Sequence, residues 1–272
     1  MKILKSFSTK RPVLFVLILV VVWFIVMMLF TGITAGILQK PYDDAVPSIL
    51  GRVFVVICGI LLIWKLGWLE TARITCLGSW QVWLFTLGGL VYYAYTSLYA
   101  FYGSASFDFL ILARLPASRI IVLTQFMVAL NEEILFRGIV LYVLIRSWGN
   151  TTRGRIGSVL LSSLLFATLH ATQIFTDRLE PSAAWVLVPG TFVISIWWGA
   201  LVLAGGSIWH AVLLHFVGNA AVVVQGLSTP MLESEHLVYE RLMWFSLLLG
   251  LIGIGLLIKA VSEKAGWKTL EM

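Results

Sequence analysis

Asn131-Glu132-Glu133-Ile134-Leu135-Phe136-Arg137 sets three charged side chains inside a run of otherwise apolar residues. If the run is helical, Glu133 and Arg137 lie about 40° apart around the axis, near enough to pair. Glu132 points about 100° from Glu133 and about 140° from Arg137 and has no local cation. The spacing therefore predicts two unlike carboxylates: one tied to an arginine, the other basic, unsatisfied and suited to general-base work. The competing reading is that both glutamates neutralise Arg137 and fix helix packing.

Two further apolar runs carry polar groups at helical spacing: Phe166 with His170, and His215 with Asn219. A single histidine in an apolar helix serves packing as readily as catalysis, so depth is the better criterion. At about 1.5 Å per residue from the predicted cytoplasmic helix ends, Glu132 lies about 20 Å in, His170 about 21 Å, His215 about 12 Å and Asn219 about 18 Å. Within boundary errors these groups share one slab of membrane, which independent packing residues have no reason to do. Peptide hydrolysis would use such a set. Glu132 would take a proton from water and His170 would hold that water. His215 and Asn219 would donate to the oxyanion, provided that His215 carries a proton on the nitrogen facing the substrate. There is no His-Glu-x-x-His helix, no Gly-x-Ser-x-Gly elbow and no cysteine near a histidine. Glu132, His170 and His215 could instead hold a divalent metal, since two histidines and a carboxylate make an open zinc site. Metal-free catalysis with no cofactor is the expectation.

The elements that must position these groups follow from composition. The chain has 272 residues, of which 60% are hydrophobic and 12% charged, and a mean hydropathy of +0.97. Soluble domains are about 25% charged, so a cytosolic globular enzyme, a disordered tail and a nucleic-acid binder are excluded. The net charge of +6 comes from cations scattered between apolar runs rather than from a basic patch. Cys58 and Cys76 cannot make a disulfide framework and are expected to be packing residues.

About 20 apolar helical residues cross a bilayer core about 30 Å thick. Eight stretches qualify: Val13–Leu38, Ser48–Leu66, Trp80–Tyr102, Ser118–Ile145, Ile156–Phe175, Ala183–Ala204, Ser207–Leu227 and Leu242–Val261. With the N-terminus inside, twelve of the 19 cations fall on the inner side: Lys2, Lys5, Lys10, Arg11, Lys65, Arg73, Arg146, Arg153, Arg155, Lys259, Lys264 and Lys268. That asymmetry predicts cytoplasmic termini. The fold class is thus all-α, a polytopic transmembrane bundle of about eight spans. Gly32 and Gly36 offer a small-residue face for close packing, and Trp148, Trp185, Trp209, Trp244 and Trp267 are placed as interfacial anchors. His210 is expected to pack, and His236 to be solvated in an outer loop.

In these residues the chain resembles the CAAX prenyl endopeptidase and bacteriocin-processing family of intramembrane glutamate proteases, which includes the type II CAAX endopeptidase. Its signature is Glu-Glu-x-x-x-Arg, then Phe-x-x-x-His, then His-x-x-x-Asn, each on its own membrane helix. Glu132, Glu133 and Arg137, then Phe166 and His170, then His215 and Asn219 fill it in order. The resemblance runs from Asn131 to Asn219 and leaves the first three helices uncovered. It implies a helical membrane peptidase whose first glutamate activates water and whose second pairs with the arginine. The first histidine would assist the water, and the last histidine and asparagine would form the oxyanion site.

The expected organisation is an N-terminal three-span region (1–117), a catalytic core of four spans (118–227), and a C-terminal loop, last span and tail (228–272). The expected substrate is a membrane-associated or prenylated peptide or protein, met in the lipid bilayer and with no nucleic acid involved. A bacterial plasma membrane is the expected location, and the oligomeric state stays open. The alternatives are a non-catalytic immunity or scaffold protein using the same cavity, or a proton-linked transporter. The latter is disfavoured by the lack of an inverted repeat.

Overall fold

The computed structural model describes residues 1–103, 116–172, 181–228, 251–253 and 255, and no strand occurs among the described residues. The chain opens with α1 (Lys2–Lys10) and α2 (Pro12–Leu38). Arg11 breaks the run between them at φ −139°, and Pro12 takes the first position of α2, where its missing N–H goes unneeded. The sequence singles out Lys2, Lys5, Lys10 and Arg11 only as inner-side cations, yet Lys2–Lys10 forms a helix of its own. Ile3, Leu4 and Phe7 fall on one side and Lys2, Lys5 and Thr9 on the other, so coiling separates apolar from basic groups. Phe7 then packs edge-on against Phe15, with ring centroids 5.8 Å apart.

After a short turn, α3 (Ala45–Lys65) begins at Asp44, whose side chain accepts from the Val46 N–H at 2.9 Å and pairs with Lys40 at 3.1 Å. The backbone bond first, and Lys40 second, hold the Asp44 carboxyl below the usual carboxylate range, so this cap stays charged into acid. α2 and α3 pack closely because α3 presents glycines. A Cβ at Gly51 would run into Thr31, and one at Gly59 into the Trp23 ring. Gly32 and Gly36, the expected close-packing face, have nothing nearer than 3.9 Å to such a Cβ, so the tight crossing is built from the α3 side instead.

The next helices are α4 (Trp80–Gly103) and α5 (Pro116–Glu133), followed without a break by a π-helical segment (Ile134–Leu141) and α6 (Tyr142–Trp148). One continuous α-helix is the sequence expectation for this rod. In its middle the hydrogen bonding shifts to i→i+5, and all eight residues of the segment are buried. Ser162 Oγ donates to the Phe136 carbonyl at 3.1 Å, giving that oxygen a partner on a neighbouring helix. That neighbour is α7 (Thr152–His170), started by Thr151, whose hydroxyl accepts from the Gly154 N–H at 3.0 Å. α8 (Pro181–Gly205) and α9 (Trp209–Ser228) follow.

α7 packs on α8, α9 against α4, α5 and α8, and α3 against α5. The α8–α9 turn passes through Gly206 at φ +71°, a left-handed conformation that suits glycine. It is pinned by the 66–79 connection: Ser207 Oγ donates to the Cys76 carbonyl at 2.6 Å, and the Trp209 indole N–H to the Ile74 carbonyl at 2.9 Å. Trp209 therefore serves packing as well as any interface. Cys76 also donates its thiol to the Gly206 carbonyl. Cys58 departs from expectation, since it is exposed on α3 rather than packed inside.

Among the described residues three helical stretches, Pro12–Leu38, Ala45–Lys65 and Leu187–Gly205, are long and apolar enough to cross a membrane. On α2 the exposed side chains include Leu14, Leu17, Ile18, Val21, Val22 and Ile25, an outward face that water would not tolerate but lipid would. Of the eighth expected stretch, Leu242–Val261, residues 251–253 and 255 are described and helical. Its remainder, His236, Trp244 and Trp267 lie outside the described residues, as does Phe175 at the expected end of the fifth stretch.

Candidate active site

The polar residues converge where α5 gives way to the π-helical segment. Glu133 ends α5, and its side chain is fully buried; Arg137 Nη1 donates to its Oε1 at 2.9 Å. The same oxygen lies 2.9 Å from His215 Nδ1, on α9. Because a carboxylate accepts, the geometry assigns the proton of this bond to Nδ1, and Glu133 orients an arginine and an imidazole together. Arg137 is held on its other side by Ser195 of α8, with Nη2 2.7 Å from the serine Oγ and 3.4 Å from its carbonyl.

Aromatic rings close this cluster. The Arg137 guanidinium lies 4.6 Å from the Phe166 ring centre and 5.4 Å from that of Trp198. Trp198 stacks on His215 at 4.7 Å and 24°, and Phe166 meets the same imidazole edge-on at 5.7 Å. His215 is thereby fixed by one hydrogen bond and two ring contacts. It is 3% exposed, so its rotation is tightly restricted.

Glu132 is different in kind from its neighbour. Its side chain is 19% exposed against 0% for Glu133. Its Oε2 has no hydrogen-bond partner among the described residues and stands 3.7 Å from His215 Nε2. That is an ion-pair separation too long for a direct hydrogen bond.

His170 sits at the end of α7, half-buried, with Nδ1 3.1 Å from the Phe166 carbonyl and its ring 4.8 Å from that of Phe166. A carbonyl can only accept, so Nδ1 bears the proton of this bond, and Nε2 has no hydrogen-bond partner among the described residues. His170 and His215 both border the Phe166 ring; the former has no hydrogen bond to either glutamate. Asn219 lies one turn beyond His215 on α9, half-buried and without a hydrogen-bonded partner among the described residues. The structure thus joins Glu132, Glu133, Arg137 and His215 directly, adds His170 through Phe166, and leaves the carboxamide of Asn219 unengaged. No three His, Cys, Asp or Glu side chains converge as a metal-holding set among the described residues. His210 is not part of the cluster: it is buried against Thr86, 2.9 Å from Nδ1, and the Trp83 ring.

Residues 115–221 match the family model described as Type II CAAX prenyl endopeptidase Rce1-like. This segment is similar to the type II CAAX prenyl endopeptidases. Neither a curated protein nor a solved structure matches the chain. The matched segment contains all seven signature residues, and the family is one of hydrolases. α1 to α4 lie before it.

Sequence reasoning missed three neighbours of this polar cluster. Ser195 and Trp198 share one face of α8, three residues apart, and that spacing was the available signal. Tyr93 of α4 is buried against Gly218, its ring 3.1 Å from where a Cβ there would stand. Nothing local in the sequence points to it. Ser195→Ala removes a hydrogen bond to a charged group and is expected to destabilise the fold by about 1.5–3 kcal/mol. Thermal melts of the purified variant would check this, and a melt equal to wild type would show that Ser195 does not hold Arg137.

Proposed function

We propose that the chain is an intramembrane endopeptidase that hydrolyses a peptide bond in a membrane-associated or lipidated, CAAX-like substrate. In this reading eight helices span a bacterial plasma membrane, with both termini cytoplasmic. The 118–227 core carries the chemistry, between an N-terminal region (1–117) and a C-terminal one (228–272).

The observation that carries the reading is the inequality of the two glutamates. Glu133 is fully buried and committed through Oε1 to Arg137 and His215, its Oε2 being without a partner among the described residues, whereas Glu132 makes no hydrogen bond among the described residues, stands beside His215 Nε2 and is 19% exposed. Glu132 takes the proton of a water held with help from His170 Nε2, and the resulting hydroxide adds to the scissile carbonyl. His215 and Asn219 donate to the oxyanion, and the proton on Glu132 passes to the leaving amine. Since Nδ1 of His215 serves Glu133, donation from Nε2 requires the imidazolium. In that state Glu132, Glu133, Arg137 and His215 sum to zero charge, a condition that favours burying them as one group.

The test reconstitutes wild type, Glu132→Ala and His170→Ala in vesicles and offers prenylated CAAX peptides and leader-bearing peptides. Cleavage by wild type and its loss in both variants is expected; equal cleavage by all three proteins would end the reading. A parallel arm with chelator, then zinc, separates water activation by Glu132 alone from a metal held by Glu132, His170 and His215.

A further inference from the structure

We propose that Trp23, on α2 and outside the family segment, is a positioning residue that aims Glu132 by clamping Asn131. The Trp23 indole N–H donates to Asn131 Oδ1 at 2.9 Å, and Asn131 Nδ2 lies 3.7 Å from Met27 Sδ, one turn further along α2. Both ends of this carboxamide are therefore held by a single helix. Trp23 is 5% exposed and Asn131 1%, so water does not compete for the bond. The indole reaches Asn131 through a notch in α3. A Cβ on Gly59 would collide with the ring, and Ile134, the first residue of the π-helical segment, lies 3.5 Å from the same point.

Position along the helix explains why this clamp bears on chemistry. Asn131, Glu132 and Glu133 are successive, so their side chains leave the axis about 100° apart. Asn131 is locked to α2, Glu133 is locked to Arg137 and His215, and Glu132 lies between these two fixed directions. Releasing Asn131 frees the end of α5 to rotate. At a side-chain radius of about 6 Å, a rotation of about 10° carries the Glu132 carboxylate about 1 Å, a displacement that can cost about 100-fold in rate.

Trp23→Phe keeps an aromatic side chain but deletes the donor together with the five-membered ring, a loss of volume that the Trp68→Phe control shares. Gly59→Ala keeps the donor and pushes the ring away, and serves as the second variant if Trp23→Phe does not fold. Trp68→Phe is the control, because Trp68 is buried with an indole nitrogen that has no hydrogen-bond partner among the described residues. Two readouts are taken on full-length protein in vesicles: peptide cleavage, and the rate at which a hydrophobic carbodiimide labels Glu132, followed by mass spectrometry with Glu132→Gln as blank. Trp23→Phe is expected to lower kcat by about 10- to 100-fold with KM nearly unchanged, and to shift the labelling rate by about tenfold. Trp68→Phe is expected to match wild type in both. The kinetic arm rests on the proteolytic reading, and the labelling arm does not. If wild type cleaves nothing, that reading fails while labelling still decides the clamp. Labelling of Glu132 at the wild-type rate in the Trp23 and Gly59 variants would overturn the positioning role.

Discussion

Glu132→Gln is expected to lower kcat by about 100- to 10,000-fold, the range for removing a general base, while the protein still folds and still binds substrate. The substitution preserves volume and shape, and its 19% exposed side chain has room for an amide. What disappears is the capacity to take a proton from water beside His215 Nε2. The 3.7 Å contact with His215 Nε2 loses its charge, while Glu133 continues to hold Arg137 and His215. Loss of kcat with KM preserved, and recovery of the uncleaved peptide on the variant, are the expected results of kinetics and pull-down in vesicles. A variant that turns over within a few-fold of wild type would remove Glu132 from the reaction.

Arg137→Ala should show the largest loss of stability, about 3–5 kcal/mol, because it strands the fully buried carboxylate of Glu133 without its cation. It also deletes the bond to Ser195 and the contacts with Phe166 and Trp198, so three helices lose a shared anchor. Magnitude tells which effect dominates. A neutral interhelical hydrogen bond in a membrane protein averages about 0.6 kcal/mol, far below the cost of an isolated buried charge. Thermal unfolding in detergent measures the loss. The double variant Arg137→Leu with Glu133→Leu is expected to recover much of it, since no charge is left unpaired. If Arg137→Ala melts like wild type, the pair is not structural.

The sequence was informative wherever the cause is local. An apolar, charge-poor composition determines an all-helical chain with membrane-crossing helices, and Pro116, Gly149 and Gly205 mark helix ends within a residue or two. Glu133 and Arg137 meet because they are four residues apart on one rod, and the ordered signature from Glu132 to Asn219 brings the family into view before any coordinates. What stayed hidden joins helices far apart in the chain. That His215 Nδ1 serves Glu133 while Nε2 faces Glu132, that Ser195 and Trp198 hold Arg137 and His215, and that Trp23 reaches Asn131 through Gly59 all depend on which faces meet. A helix bathed in lipid is apolar all round, so its periodicity does not say which side turns inward. The π-helical turn at Ile134–Leu141 was hidden for a related reason: its Phe136 carbonyl is served by Ser162 of another helix. Tertiary packing alone decided how the two glutamates are aimed, because only the assembled bundle sets the rotation of each helix about its axis.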